Sequence, residues 1–215
     1  LGGQAHRTGE NREGGRYEKL KEAAGKMYLQ SRIAACWSAQ DCMTTDRVPF
    51  IGLYAADRPD WYVATGFCKW GMSSAMVSAI LLKDMICGIN NPYTEVFAPS
   101  RFSGEELPQL LEDTGKSVKG LTKRFFHMPQ ETVDELPRGH GGVIDTSQGK
   151  TGVYKTEDGQ LFQVDIVCPH MGCELTWNPD ERSWDCPCHG SRFDYKGNRI
   201  DGPAEDGISL ESSPE

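Results

Sequence analysis

The stretch CPHMGCELTWNPDERSWDCPCHGS, from Cys168 to Ser191, contains four of the eight cysteines and two of the five histidines of the 215-residue chain. Cys168 and His170 are two residues apart, so both side chains project to the same side of an extended loop. Cys186 and His189 are three residues apart, which is the spacing of a tight turn. The NPDE sequence between the two pairs predicts a turn. The stretch therefore predicts one site, assembled from two loops that face each other.

Three chemistries could use such a cluster: disulfide bonds, a zinc site or an iron–sulfur cluster. Two cysteines and two histidines suit zinc, but zinc sites usually draw on Cys-x₂₋₄-Cys pairs, whereas each loop here offers one Cys and one His. A zinc site would also leave Cys173 and Cys188 without a role. Prolines and glycines flank the candidate ligands, at Pro169, Pro187, Gly172 and Gly190. Proline stiffens a loop, and glycine lets backbone N–H groups approach an anionic cofactor.

The sequences CPHMGC and CPCHGS resemble the two boxes of the Rieske iron–sulfur family, C-x-H-x-G-C and C-P-C-H-x-S. The resemblance implies an all-β domain of antiparallel sheets with two cluster-binding loops. It also implies a [2Fe-2S] cluster with Cys168 and Cys186 on one iron and His170 and His189 on the other. Because two neutral imidazoles replace two anionic thiolates, such a cluster accepts an electron more readily, at about −150 to +300 mV.

Further details follow from the same resemblance. It implies a disulfide between Cys173 and Cys188, and it makes Ser191 a hydroxyl donor to a bridging sulfide of the cluster. High-potential members of the family carry a tyrosine two residues after this serine, where the chain has Phe193. Since hydrogen-bond donors around a cluster raise its potential, we expect a potential below that of the respiratory relatives. The family also places its histidines at an exposed tip, which makes them the expected electron port.

Charge and hydropathy exclude several other roles. The net charge is −8, and residues 118–215 hold 10 basic against 17 acidic side chains. Nucleic-acid binding needs clustered Lys and Arg, so this balance disfavours it and suits protein partners better. The longest apolar stretch, residues 75–82, is far shorter than the roughly 20 residues that span a bilayer. We therefore expect no membrane partner and a cytoplasmic location.

The pattern along the chain predicts an α+β region followed by a small antiparallel β domain. Apolar periodicity indicates a helix over residues 17–30, and the sequences RIAACWSAQ, VPFIGLY and DWYVATGF read as strands. Residues 73–88 predict a helix that is apolar on nearly every side and therefore buried. Short strands beyond Met128 are punctuated by the turn sequences EDG and KGN. The predicted division is residues 1–100, a helical linker at 101–127, and the Rieske domain at 128–215.

The first half resembles the C-terminal part of flavin-dependent oxidoreductases of the D-amino-acid oxidase and glycine oxidase type, through WSAQDCMTTDRVPFIG and WYVATGFCKWGMSSAMVSAILLKDMICG. The whole chain resembles the C-terminal portion of bacterial oxidoreductases that fuse such a flavin domain to a Rieske domain. In those folds a glycine turn leads into a helix whose N-terminus faces the flavin, the place that Trp70, Gly71, Met72 and Ser73 take here. The fingerprint G-x-G-x-x-G is absent, so we expect FAD binding only in a full-length protein whose ADP-binding half lies upstream of Leu1.

These observations lead to one main interpretation and two alternatives. In the main one, a flavin domain of the same polypeptide oxidises an amine or amino-acid-like substrate and passes electrons singly to the cluster and on to a redox acceptor protein. The chain itself is then an electron-transfer module of an FAD-dependent oxidoreductase. The first alternative is a stand-alone Rieske ferredoxin-type carrier for another enzyme, and the second is a zinc-stapled interaction domain.

The remaining cysteines and histidines carry weaker signals. We expect Cys36, Cys42, Cys68 and Cys87 to be buried thiols, because most of them stand beside apolar or aromatic residues. Three further histidines have no partner at ligand spacing and are expected on the surface: His6, His127 and His140.

Overall fold

A computed structural model of the chain describes residues 1–101, 132–146 and 149–210. Contacts within the chain divide it into two units, one made of residues 1–38 and 115–215 and the other of residues 39–114. The predicted linker at 101–127 lies almost entirely outside the described residues, and the predicted domain boundaries stay a prediction.

In the unit that contains the C-terminal region, the described strands form two antiparallel sheets, one of three strands and one of four, and strands that follow one another in the chain are neighbours in each sheet. This confirms the predicted antiparallel β domain. The strands of the two sheets are β3 Gly141–Thr146, β4 Gly149–Lys155, β5 Leu161–Asp165, β6 Thr176–Asn178, β7 Ser183–Asp185, β8 Arg192–Asp194 and β9 Arg199–Asp201.

Turn chemistry fixes the hairpins of both sheets. The EDG turn joins β4 to β5, and its Gly159 adopts a φ of 94°, a backbone conformation that glycine tolerates best. The KGN turn joins β8 to β9, where Gly197 has a φ of 92°. The NPDE segment connects β6 to β7. All three predicted turns are therefore present.

Two tryptophans fill the space between the sheets. The rings of Trp177 and Trp184 lie 5.0 Å apart, and Trp184 is completely buried. Each ring packs directly against a glycine of the three-stranded sheet. A Cβ on Gly152 would lie 2.9 Å from Cη2 of Trp184, and one on Gly141 would lie 2.5 Å from Cδ2 of Trp177. The two glycines thus make room for the aromatic core, next to which lie the loops that carry the four candidate ligands.

The N-terminal part of this unit contains helix α1, Arg16–Met27, which begins as predicted and ends earlier. Its first amides are capped by a distant carboxylate, because Asp180 accepts hydrogen bonds from the N–H groups of Gly15 and Arg16 at 2.8 and 3.0 Å. The strand predicted at residues 32–40 is wrong, since that segment contains neither helix nor strand. A strand needs a partner, and among the described strands none pairs with it.

The described residues of the second unit form a hairpin and two helices. Strand β1, Phe50–Leu53, pairs antiparallel with β2, Tyr62–Thr65, which confirms the strands predicted there. Helix α2 follows at Gly71–Ile86 and the short α3 at Thr94–Phe97. Arg101 holds the unit together through its hydrogen bond to Asp46 at 2.8 Å. That bond lowers the pKa of Asp46 to about 2.

The burial predicted for α2 is wrong. Its buried residues are mainly polar: Ser74, Ser78, Leu81 and Asp84. Exposed apolar side chains form a stripe at a spacing of four residues, in which Met72 is 90% exposed, Met76 66% and Ile80 54%. The composition correctly predicted an apolar helix, but the described residues cover only the serine-bearing side of it.

The prediction of buried thiols is also wrong. Cys36, Cys42 and Cys87 are exposed and Cys68 is half-buried, because they belong to neither of the buried apolar clusters of the described chain. His6 and His140 are exposed as predicted, whereas His127 lies outside the described residues. Within the described part of the chain, no helix combines the length and the apolar character needed to cross a membrane.

Candidate metal centre

The first ligand loop connects the core to β6 and runs from Cys168 to Cys173. The amide of Cys168 donates to the carbonyl oxygen of Cys173 at 2.9 Å, and the amide of Gly172 donates to that of Cys168 at 2.8 Å. Gly172 has a φ of 76°. These two bonds close the loop.

The second loop, from Cys186 to Ser191, repeats this construction between β7 and β8. The amide of Cys186 donates to the carbonyl oxygen of Ser191 at 2.8 Å, and the amide of Gly190 donates to that of Cys186 at 3.1 Å. Gly190, the fifth residue of its loop like Gly172 of the first, has a φ of 87°. The two loops therefore share one backbone design.

A disulfide joins the loops. It links Cys173 to Cys188, whose Cα atoms lie 6.6 Å apart, and both residues are buried. The sulfur of Cys186 lies within 4.8 Å of the sulfurs of this pair, so the three cysteines form a compact sulfur cluster. Since two of these sulfurs are bonded to each other, only Cys186 among them can act as a thiolate ligand.

The structure brings the four predicted ligands together as two pairs. Cys168 and Cys186 are each only 1% exposed, and their thiols form a hydrogen bond with each other. His170 and His189 are exposed, and their rings meet edge to face with centroids 4.9 Å apart. The thiols therefore form the buried end of the site and the imidazoles its exposed end.

The two thiols titrate as an interacting pair. The hydrogen bond from Cys186 lowers the pKa of Cys168, against the opposing effect of burial. The same bond and burial raise the pKa of Cys186. Cys168 is therefore the thiol that ionises first, and a bound cation favours loss of the second proton.

Ser191 lies beside the buried thiols. It is completely buried, and its hydroxyl oxygen accepts a hydrogen bond from the amide of Ala204 at 3.0 Å. The hydroxyl also bonds to the sulfur of Cys168 and helps to lower the pKa of that thiol. Phe193, two residues later, is completely buried and stands opposite Trp184 in the sheet.

Sequence reasoning missed a buried polar network under the second loop. Asp185, next to a ligand cysteine, is 1% exposed and accepts hydrogen bonds from Ser183 at 2.7 Å, Asn178 at 2.8 Å and Arg192 at 3.1 Å. Burial acts to lower the pKa of Arg192, but the charges and hydrogen bonds of Asp185 and Glu181 together outweigh burial, and the pKa is raised. The sequence signal for this network was the alternation of polar and apolar residues in β7. Ser183 and Asp185 stand on either side of Trp184, so the two polar side chains lie on one face of the strand.

The residues predicted to face a flavin lie together at the start of α2. Trp70 precedes the helix and is 72% exposed, Gly71 is its first residue and Met72 is exposed. The hydroxyl of Ser73 donates to the carbonyl oxygen of Trp70 at 3.2 Å.

Comparison with known proteins identifies the C-terminal region. Residues 127–212 match the family model described as the Rieske [2Fe-2S] domain. This region is a Rieske domain. It contains both ligand loops, and the chemistry of such a domain is single-electron transfer through an iron–sulfur cluster.

Curated relatives extend the match beyond the Rieske domain. Bacillus subtilis YhfW, whose name describes a Rieske 2Fe-2S iron–sulfur protein, is 38% identical over 204 residues, which are 94% of this chain and 40% of that protein. The cytochrome b6-f complex iron–sulfur subunit of Synechococcus elongatus is 42% identical over 55% of this chain and 63% of its own length. The chain therefore spans less than two thirds of each of these relatives.

A solved structure also matches part of the chain. The cyanobacterial plasma membrane Rieske protein PetC3 from Synechocystis PCC 6803 is 30% identical, covers 32% of this chain and 71% of its own, and has a TM-score of 0.30.

The donor set fits a [2Fe-2S] cluster of the Rieske type. Such a cluster takes thiolates at one iron and imidazoles at the other. Cys168 and Cys186 approach closely enough to share a hydrogen bond, and His170 and His189 lie side by side at the solvent edge.

Proposed function

We propose that the protein is an electron carrier whose Rieske domain binds a [2Fe-2S] cluster through Cys168 and Cys186 on one iron and His170 and His189 on the other. When bound, such a cluster takes up and releases one electron at a time, in the range of about −150 to +300 mV. The proposed partners are redox proteins, because one relative is a subunit of a cytochrome complex.

One observation carries this proposal: two loops of the same backbone design present one buried thiol and one exposed imidazole each. Residues at equivalent positions of the two loops contact each other. The thiol of Cys168 meets that of Cys186, and the ring of His170 meets that of His189, with ring centroids 4.9 Å apart. Zinc would accept the same four ligands, but it needs no segregation of sulfur ligands from nitrogen ligands. A cluster with two chemically different irons needs that segregation.

The residues of the site have different roles. Cys168 and Cys186 hold their end of the site away from water, while His170 and His189 place the other end where a partner protein can touch it. The Cys173–Cys188 disulfide keeps the loops together, and Ser191 supplies a hydroxyl that stabilises negative charge on the sulfur of Cys168.

Metal and sulfide analysis tests the proposal. Protein purified without oxygen should contain two iron atoms and two acid-labile sulfides per chain and accept one electron. One zinc per chain without sulfide would refute the electron-carrier function and favour an interaction domain.

A second candidate function, part of a flavin-dependent oxidoreductase acting on an amine or amino-acid-like substrate, is supported by the other unit. Helix α2 exposes Met72, Met76 and Ile80 in one stripe, the kind of apolar surface that a neighbouring domain covers. The 204 matched residues are 40% of YhfW, so that relative is about 510 residues long and has room for a further domain. The names of these relatives describe iron–sulfur proteins and mention no flavin, so the carrier function has the stronger support.

Under this second proposal, the start of α2, from Trp70 to Ser73, faces the flavin ring of FAD. Amides in the first turn of a helix have no partner within the helix and suit an anionic flavin. The product of the complete reading frame should then retain FAD through gel filtration, and Gly71→Pro, which deletes one of these amides, should weaken FAD binding. Absence of FAD from a folded product that contains the iron cluster would rule out this candidate and leave the carrier intact.

A further inference from the structure

The segment from Gly9 to Arg16 packs onto the Rieske domain although some 170 residues separate them in sequence. Asn11 is only 4% exposed at this contact. Its side-chain amide donates to Asn178 at 2.9 Å and to Asp180 at 3.0 Å, and its oxygen accepts from the Nε of Arg16 at 2.9 Å. Both the donor and the acceptor ends of this one side chain are therefore in use.

The contact continues inward to the second ligand loop. Asn178, which accepts from Asn11, donates through its own amide to Asp185 at 2.8 Å. Asp185 directly precedes the ligand Cys186 in the sequence. A path of two hydrogen bonds thus joins the N-terminal segment to the residue beside the cluster, and buried bonds of this kind hold their partners in fixed positions.

Gly9 reaches the same loop from outside. A Cβ at this position would lie 2.7 Å from the Cβ and 2.8 Å from the Cα of Pro187, the residue between Cys186 and Cys188. Glycine, with its φ of 83°, therefore allows the segment to lie directly on the backbone of the loop.

We propose that the segment Gly9–Arg16 positions the second ligand loop, with Asn11 as the positioning residue that fixes Asn178 and Asp185 and with Gly9 as the contact that restrains Pro187. The N-terminal segment is then part of what sets the cluster's potential. This inference rests on the proposed cluster ligands.

The direction of the effect follows from charge. Asn178 gives Asp185 a hydrogen bond that partly compensates its negative charge, and Asn11 holds Asn178 in the orientation to do so. Without Asn11 the carboxylate is less compensated, and it disfavours an added electron on the neighbouring site. The potential should fall.

Two pairs of full-chain variants test the proposal. Asn11→Ala removes the positioning side chain. Its control is Glu10→Ala, which truncates the neighbouring residue, an exposed one. Gly9→Ala places a methyl group against Pro187, and Gly15→Ala is its control, because Gly15 has a comparable φ of 77° but its Cβ would meet no atom within 4 Å. The backbone strain of alanine is common to both members of the second pair.

The first readout needs no cluster: the rate of hydrogen exchange at the amide of Cys186, which donates to the carbonyl oxygen of Ser191 across the second loop, in the metal-free protein with the disulfide intact. Loss of about one net hydrogen bond should raise this rate about fivefold in Asn11→Ala. Gly9→Ala should raise it by at least as much, because its methyl group overlaps Pro187 and forces the segment away from the loop. The two controls should stay at the wild-type rate. If Gly9→Ala matches Gly15→Ala and Asn11→Ala matches Glu10→Ala, the segment does not hold the loop and the proposal is wrong.

The second readout is the midpoint potential of the loaded protein. Asn11→Ala should lower the ratio of reduced to oxidised cluster at a fixed potential about threefold, equal to about 30 mV for one electron. A protein that never binds iron and sulfide would refute the proposed function while the exchange rates still report on the segment. A loaded protein in which Asn11→Ala leaves both the potential and the exchange rate unchanged would refute the positioning role alone.

Discussion

His170 and His189 approach each other edge to face, with ring planes at 87° and centroids 4.9 Å apart. They come from separate loops, and each follows a cysteine whose sulfur lies in the buried end of the site. The contact leaves both rings at the solvent-exposed edge. Under the proposed function, this edge is where a partner protein would exchange an electron with the cluster.

Replacing one of these rings should abolish cluster binding. In His189→Ala one iron loses one of its only two protein ligands, so we expect less than a tenth of the wild-type iron content. The matched control is His140→Ala, which alters an exposed histidine whose ring contacts the carbonyl oxygen of Arg138. Equal iron content in the two variants would contradict the ligand assignment.

Ser191→Ala should lower the cluster potential. The hydroxyl bonds to the sulfur of Cys168 and disperses the charge that grows there on reduction. A hydrogen bond to a charged acceptor contributes about 1.5–3 kcal/mol, and only the difference between the two redox states counts. We expect a shift on the order of 1 kcal/mol, about 40 mV, in protein-film voltammetry. An unchanged potential would mean that this hydroxyl does not act on the cluster.

Phe193→Tyr should shift the potential upward by a similar amount. The ring is completely buried on β8, two residues after Ser191, and the new hydroxyl would add a donor near a ligand sulfur. Voltammetry and iron content should be measured together. A lower or equal potential with full iron content would show that the ring at 193 does not face a ligand sulfur.

Gly152→Ala should destabilise the Rieske domain. Its methyl group would stand 2.7 Å from Val164 and 2.9 Å from Trp184, both completely buried, and overpacking of this kind costs about 1–3 kcal/mol. Urea unfolding measures the change. Gly25→Ala is the control, since its methyl would meet no atom within 4 Å and should stabilise α1 by up to about 1 kcal/mol. Equal stability of the two variants would argue against this packing of the sheets.

Acid should remove the contribution of Asp46 to stability. Its pKa is lowered to about 2, first by the hydrogen bond from Arg101, so the ionised carboxylate stabilises the fold above its ordinary pKa of 3.8 and that stability is lost as the pH falls towards 2. Asp46→Asn should lower the free energy of unfolding at pH 7 by about 1 kcal/mol. The difference from wild type should shrink as the pH falls and vanish only below about pH 2.

The exposed pair of Asp57 and Arg58 provides the control. Their side chains are 79% and 58% exposed, and their closest charged atoms lie 3.7 Å apart. Asp57→Asn should leave the unfolding curve unchanged at both pH values. A pH-independent effect of Asp46→Asn would show that the charge of this residue is not what stabilises the unit.

Local features of the Rieske domain were predictable from the sequence because short-range chemistry determines them. The glycines of the EDG and KGN turns adopt positive φ angles that few other residues tolerate, so the hairpins they close could be located. The two loops could likewise be found from their Cys and His spacing, because each loop is closed by hydrogen bonds within six residues.

Features that depend on distant partners could not be predicted. Nothing near Asn11 indicates that Asn178 will accept its hydrogen bond, since 167 residues separate the two. Similarly, the composition of α2 predicts an apolar helix but does not say which side its unit covers. The polar side of the helix, with Ser74 and Ser78, is buried, and the apolar stripe is exposed.

Pulsed electron paramagnetic resonance of the reduced protein tests the central claim most directly, because it detects nitrogen atoms bound to the iron. The assignment of His170 and His189 predicts a one-electron signal coupled to two imidazole nitrogens, and ¹⁵N labelling of histidine should change both couplings. A signal without nitrogen coupling would show an all-cysteine cluster. A zinc-containing protein that gives no signal after reduction would contradict the account altogether.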